Sequence, residues 1–165
     1  MKRQFTLLTF VLLTMSAIAQ QRMNFLGQPL GCSITTFKQR MASKGYKYIG
    51  EKETNTYSFK GVFGGDNVYV AAFITPKSKI VYGVGVAYAD YHSKKNWDYK
   101  KRTLIESFNK KYGNYFSDNG TYSHWFLNNG SISIALDYED SHPLRIYYMD
   151  KLGEKMRTRE QESDY

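Results

Sequence analysis

The residue types of nucleophilic hydrolysis meet at Asp140-Ser141-His142, where an acid, a hydroxyl and an imidazole follow one another. Consecutive positions cannot make a catalytic triad, whose members converge from separate segments with the imidazole between hydroxyl and carboxylate. Preceding Pro143, the tripeptide reads as a turn. Cys32 is the chain's one thiol. A distant histidine would complete a thiol–imidazole pair, but no flanking pattern supports one, and a small buried cysteine is expected. His92, His124 and His142 lie far apart, with no HxxxH or CxxC spacing, so no metal site is expected. Asp137, Glu139 and Asp140 read as a solvated strand end rather than a calcium loop. Gly61, Gly64 and Gly65 fall between two strand-like segments, whereas a phosphate loop leads into a helix N-terminus. These residues predict no catalysis and no cofactor. The alternative is a small periplasmic hydrolase whose site is not recognisable from spacing.

The elements that would position these residues form two similar runs. Ser33 caps a helix with Ile34, Phe37 and Met41 on one face, and Gly45 stops it. Strand-like segments follow at 46–51, 56–63, 67–75 and 80–88, separated by Gly64-Gly65-Asp66-Asn67 and Pro76-Lys77-Ser78-Lys79. A second helix starts with Asn96 as its cap, carries Trp97, Leu104, Ile105, Phe108 and Tyr112 on its apolar face, and stops at Gly113. Segments 114–116, 121–127, 131–138 and 144–150 complete the second run. Asn119-Gly120 and Asn129-Gly130 are hairpin turns, since both residue types tolerate positive φ. Residues 33–90 and 96–150 thus form an internal repeat of helix plus four strands. Thr56-Tyr57-Ser58 matches Thr121-Tyr122-Ser123, and Val68, Val70 and Ala72 match Ile132, Ile134 and Leu136.

The predicted fold is α+β: two meanders joined into an antiparallel sheet, with both helices on one face. A cystatin-like helix on a sheet is the alternative. The match between halves places Tyr57, Phe59, Ile80, Tyr82, Tyr122 and Phe126 toward the core. The opposite face then carries Tyr69, Phe73, Trp125, Arg145 and Tyr147, which are too large to leave in water without a reason. These five are the candidate binding residues, for a protein or a glycan, because aromatic and Arg side chains dominate interface energetics. Gly83, Gly85 and Ala87 share one strand face, where an aromatic such as Tyr69 or Phe73, or a ligand, approaches the backbone.

Lys2 and Arg3, the apolar run from Phe5 and the small residues of Ala17-Ile18-Ala19 make residues 1–19 a cleaved secretory signal. The expected location is therefore the periplasm or outside the cell, with no membrane anchor and no nucleic-acid partner. Removing Lys2 and Arg3 lowers the net charge from +8 to +6. Much of that excess sits on the second helix, at Lys94, Lys95, Lys100, Lys101, Arg102, Lys110 and Lys111, a solvated face or a patch for anionic surfaces. With 10 Phe, 15 Tyr and 2 Trp, residues 20–152 have the apolar surface for a single domain. Residues 20–31 read as a linker and 153–165 as a charged, disordered tail.

Phe25-Leu26-Gly27, Lys44-Gly45-Tyr46 and Phe59-Lys60-Gly61-Val62-Phe63 resemble stretches of small exported proteins of Bacteroidetes bacteria. The tandem helix-plus-meander plan is similar to that of beta-lactamase inhibitor proteins. That resemblance implies a curved sheet that grips a protein partner with exposed aromatics. The family carries disulfides where this chain has a single cysteine, so no site residue is carried over.

Overall fold

The computed structural model describes residues 22–90, 93–115, 117–118 and 121–163. The expected leader, His92 and the Asn119-Gly120 turn lie outside them. The elements are β1 (Asn24–Phe25), β2 (Gln28–Pro29), α1 (Ile34–Ser43), β3 (Lys47–Glu53), β4 (Thr56–Phe63), β5 (Asp66–Ile74), β6 (Val81–Tyr88), α2 (Lys94–Tyr112), β7 (Ser117–Asp118), β8 (Tyr122–Leu127), β9 (Gly130–Leu136), β10 (Leu144–Asp150) and α3 (Lys151–Glu162).

Both predicted helices form for the reasons their sequences give. The Ser33 hydroxyl accepts from the Thr36 N–H and opens α1, whose Ile34, Phe37 and Met41 are buried. Gly45, at φ 82°, ends that turn in the left-handed region. In α2 the cap is Ser93, three residues before Asn96, and it accepts from the Asn96 N–H. Gly64 and Gly65, at φ 59° and 90°, close the β4–β5 hairpin as a two-residue turn requires.

The large sheet runs β3-β4-β5-β6-β10-β9-β8-β7. Each half is a helix followed by a meander, and the halves meet antiparallel through their last strands, with Val84 opposite Tyr148 and Val86 opposite Ile146. The order therefore reads the same inward from either edge. Both helices pack on one face. Phe37 of α1 meets Phe59 edge-on at 5.8 Å, and Phe108 of α2 meets Tyr148 and Trp125. Between them lie the buried Val70, Val84, Val86, Ile132, Ile134 and Ile146, in one cross-strand layer with Phe59 and Tyr148. Each such side chain contributes about 1.5–3 kcal/mol by leaving water.

Three segments differ from the sequence reading. The linker of residues 20–31 contains the β1–β2 hairpin, which sends Met23, Phe25 and Leu30 into the core. The expected tail of residues 153–165 is largely helix: α3 spans 151–162 and is capped by Asp150, whose carboxylate accepts from the Gly153 N–H. That buried carboxylate also accepts from the Met23 N–H and pairs with Arg22, tying the segment that leads into β1 to the end of β10. At its far end, Glu160 accepts from the Lys77 and Ser78 N–H groups of the β5–β6 turn. Of the strand expected at 114–116, residues 114 and 115 are not in a strand and residue 116 lies outside the described residues, while β7 forms at Ser117–Asp118.

Candidate functional site

Cross-strand register sorts the face opposite α1 and α2 into rows. One row runs Tyr69, Ala87, Arg145, Ala135, Tyr122; the next runs Ala71, Gly85, Tyr147, Ser133, His124; the third runs Phe73, Gly83, Met149, Ser131, Phe126. In each row β6 contributes a small residue. Tyr69 and Phe73 of β5 stand on one flank, with the small Ala71 between them, and Arg145, Tyr147 and Met149 of β10 stand on the other. The result is a groove of about 540 Å³ over β6, lined by residues of β3, β4, β5 and β10 as well.

The glycines set its depth. A Cβ at Gly83 would lie 3.1 Å from Phe73 Cδ2, and one at Gly85 3.3 Å from Phe73 Cζ. One edge of the Phe73 ring therefore runs beside both glycines, with Met149 Sδ closer still to the Gly83 position at 2.7 Å, as expected where side chains approach a bare backbone. Tyr147 closes from the other flank, its Cε1 3.3 Å from the same Gly85 position. At one end Tyr69, 43% exposed, meets the His142 ring edge-on at 5.2 Å.

Of the five predicted binding residues, Tyr69, Phe73, Arg145 and Tyr147 line this groove. Trp125 does not, and its assignment is corrected. It is 1% exposed on the helix face, where its indole N–H donates to Asn109 Oδ1 and the Gly113 carbonyl. Tyr122 and Phe126, predicted inward, are 38% and 64% exposed. The whole strand β8 is one residue out of the predicted phase, and a one-residue slip exchanges the faces. His124 stands between Tyr122 and Phe126 on the same open face in a stack, with centroids 5.7 and 6.1 Å away. Tyr82 also leaves the predicted face: a bulge between Phe73 and Ile74 turns Val81 inward and Tyr82 toward Phe73 and Arg157 of α3.

Electrostatics at the groove come from fixed pairs. Arg145 Nη2 lies 2.8 Å from Asp140 Oδ2. The His142 backbone N–H first, and Arg145 beside it, hold the Asp140 carboxyl below its ordinary range. Burial pushes the Tyr147 phenol up, with Arg145 pulling the other way, so it stays a neutral hydrogen-bonding group. Ser141 Oγ lies 3.0 Å from His142 Nδ1, and Asp140 accepts from the His142 backbone N–H rather than its ring. This is the hydrogen bonding of a turn; the carboxylate does not orient the imidazole as a hydrolytic relay needs. Cys32 packs against the core on the helix side, away from His124 on the open face.

His142 and the β3 residues Ile49, Lys52 and Glu53 line the groove without having been predicted. For His142 the available signal was Pro143, which follows it directly and marks the turn before β10, where the ring meets Tyr69. Among the described residues no three His, Cys, Asp or Glu side chains converge to hold a metal, and no helix is long and apolar enough to cross a membrane. A scan against protein-family models finds no match to this chain, and searches of curated proteins and of solved structures find none either.

Proposed function

We propose that the protein is an exported, non-catalytic binding module that takes its partner in the groove over β6. The observation that carries this is the convergence of Tyr69, Phe73, Arg145 and Tyr147 on the one sheet face that α1 and α2 leave uncovered. Large rings with a fixed cation, around a floor of small residues, remove much area from water while ordering few torsions. The resemblance in element order to beta-lactamase inhibitor proteins points the same way.

The test is a titration of isotope-labelled protein with protein and polysaccharide fractions of bacterial envelope, read by NMR. The expected result is saturable shifts at residues 69–73, 83–87 and 145–147, with the active fraction recovered chemically unchanged. Shifts confined to α2 and α3, or conversion of the fraction into products, would overturn this function.

A further inference from the structure

We infer that the groove's ligand is an uncharged oligosaccharide; this rests on the groove being the binding site. Three observations select the chemistry. The first is the posture of Phe73. Because residues 83 and 85 have no side chain, the ring extends along β6 beside both of them and stays half-buried at the groove. A pyranose has a face of C–H groups and a rim of hydroxyls. The C–H face packs on an aromatic face, which is the negative side of the ring quadrupole. The hydroxyls then point to the groove walls, where Thr56, Ser58, Tyr69 and Tyr147 supply partners.

The second is charge. The chain as a whole is strongly basic, at +8, yet the groove is balanced. Arg145 is paired with Asp140, and Lys52 stands beside Glu53 on the opposite wall. The excess positive charge sits on α2, which packs against the other face of the sheet. An anionic chain would find its counter-charges there and not in the groove.

The third is direction. The lining runs from β3 across β4, β5 and β6 to β10, four inter-strand steps or roughly 19 Å at about 4.8 Å each. An elongated ligand fits this trough, but an extended peptide lying across a sheet face has no strand edge to pair with. Its backbone N–H and C=O groups would lose water without gaining a ladder. A saccharide carries no such row of groups, and a volume of about 540 Å³ is within the range of small-ligand sites.

The experiment titrates the purified protein with cellotetraose and chitotetraose, both uncharged, and with an oligogalacturonate as the anionic counterpart. Calorimetry gives affinity, and NMR gives location. The expected result is binding of an uncharged oligosaccharide that 0.5 M salt does not weaken, with shifts at Gly85, Phe73 and Tyr147. Phe73→Ala weakens it on the order of tenfold or more. Ala71→Leu fills the floor opposite Gly85 and does the same, so the result does not depend on one variant folding. Binding of the oligogalacturonate alone, lost in salt, overturns the inference. If no oligosaccharide binds but displayed peptides selected on the protein bind and lose affinity on Phe73→Ala, the sugar is wrong and the groove stands. If neither class binds, both are wrong.

Discussion

In the first half of the molecule β4 turns Phe59 inward against α1, and the open face of β5 and β6 alternates large rings with bare backbone. In the second half β8 turns Trp125 inward against α2, and its open face carries the stack of Tyr122, His124 and Phe126 beside Ser131 and Ser133 of β9. The two meanders meet at β6 and β10, where one strand offers Gly83, Gly85 and Ala87 and the other Met149, Tyr147 and Arg145. The halves agree in what they bury and differ in what they leave in water. The two meanders supply one continuous sheet, and unequal side chains on its two central strands make a one-sided groove.

The largest effect expected from breaking this comparison is on β8. Trp125→Ala removes a buried ring and its two hydrogen bonds and costs about 3–5 kcal/mol of stability. Phe126→Ala, on the next residue, costs under about 1 kcal/mol. Denaturant melts of both variants measure the phase of the strand directly, and the reverse ranking would return β8 to the phase predicted from the repeat. Next is the clasp at Asp150, which has no counterpart in the first half. Asp150→Ala leaves Arg22 and two backbone N–H groups without their acceptor and costs about 3 kcal/mol by the same melts. A loss within error would mean that α3 is not held through its cap.

A smaller effect of telling sign is expected at Gly153. Glycine to alanine inside a helix ordinarily stabilises by about 1 kcal/mol. Here the added methyl would come within 2.5 Å of Tyr82 Cβ and 2.9 Å of its Cα, so Gly153→Ala destabilises by about 1–2 kcal/mol. A gain in melting temperature would show that α3 stands off the sheet.

The smallest effect is the pH dependence of the groove wall. Asp140 is held below its unfolded-state value, so it contributes stability that is complete above about pH 4. That contribution is lost as pH falls through the depressed folded value. Asp140→Asn lacks it, and the difference from wild type, under about 1 kcal/mol for so exposed a pair, should shrink as melts are moved from pH 6 toward pH 2.

The helices, the meanders and their turns were legible because apolar spacing, caps and turn glycines agree locally. The phase of β8 was not. Tyr122, His124 and Phe126 on one side and Trp125 on the other are all aromatic, so alternation alone does not choose between them. Phe108 and the acceptors at Asn109 and Gly113 decide it, and they lie across the fold. In α3 only Gly153 is buried. That helix docks through a cap, the Arg157 guanidinium over Tyr82 and the bonds to Glu160, which a hydropathy pattern does not register. The hairpin of β1 and β2 has two residues per strand, too short to show a period. Four of the five site residues were legible because their strands alternate cleanly, while the β3 wall was hidden by its bulges at Tyr48/Gly50 and Glu51/Glu53.

The central claim is that binding belongs to the groove of β5, β6 and β10 and not to the stacked rings of β8. It is tested most directly by comparing Phe73→Ala with Phe126→Ala for affinity toward the same oligosaccharide, with both variants first shown to melt as wild type does. The account predicts a loss on the order of tenfold or more for Phe73→Ala and less than about twofold for Phe126→Ala. Equal losses, or a larger loss at Phe126, would contradict it.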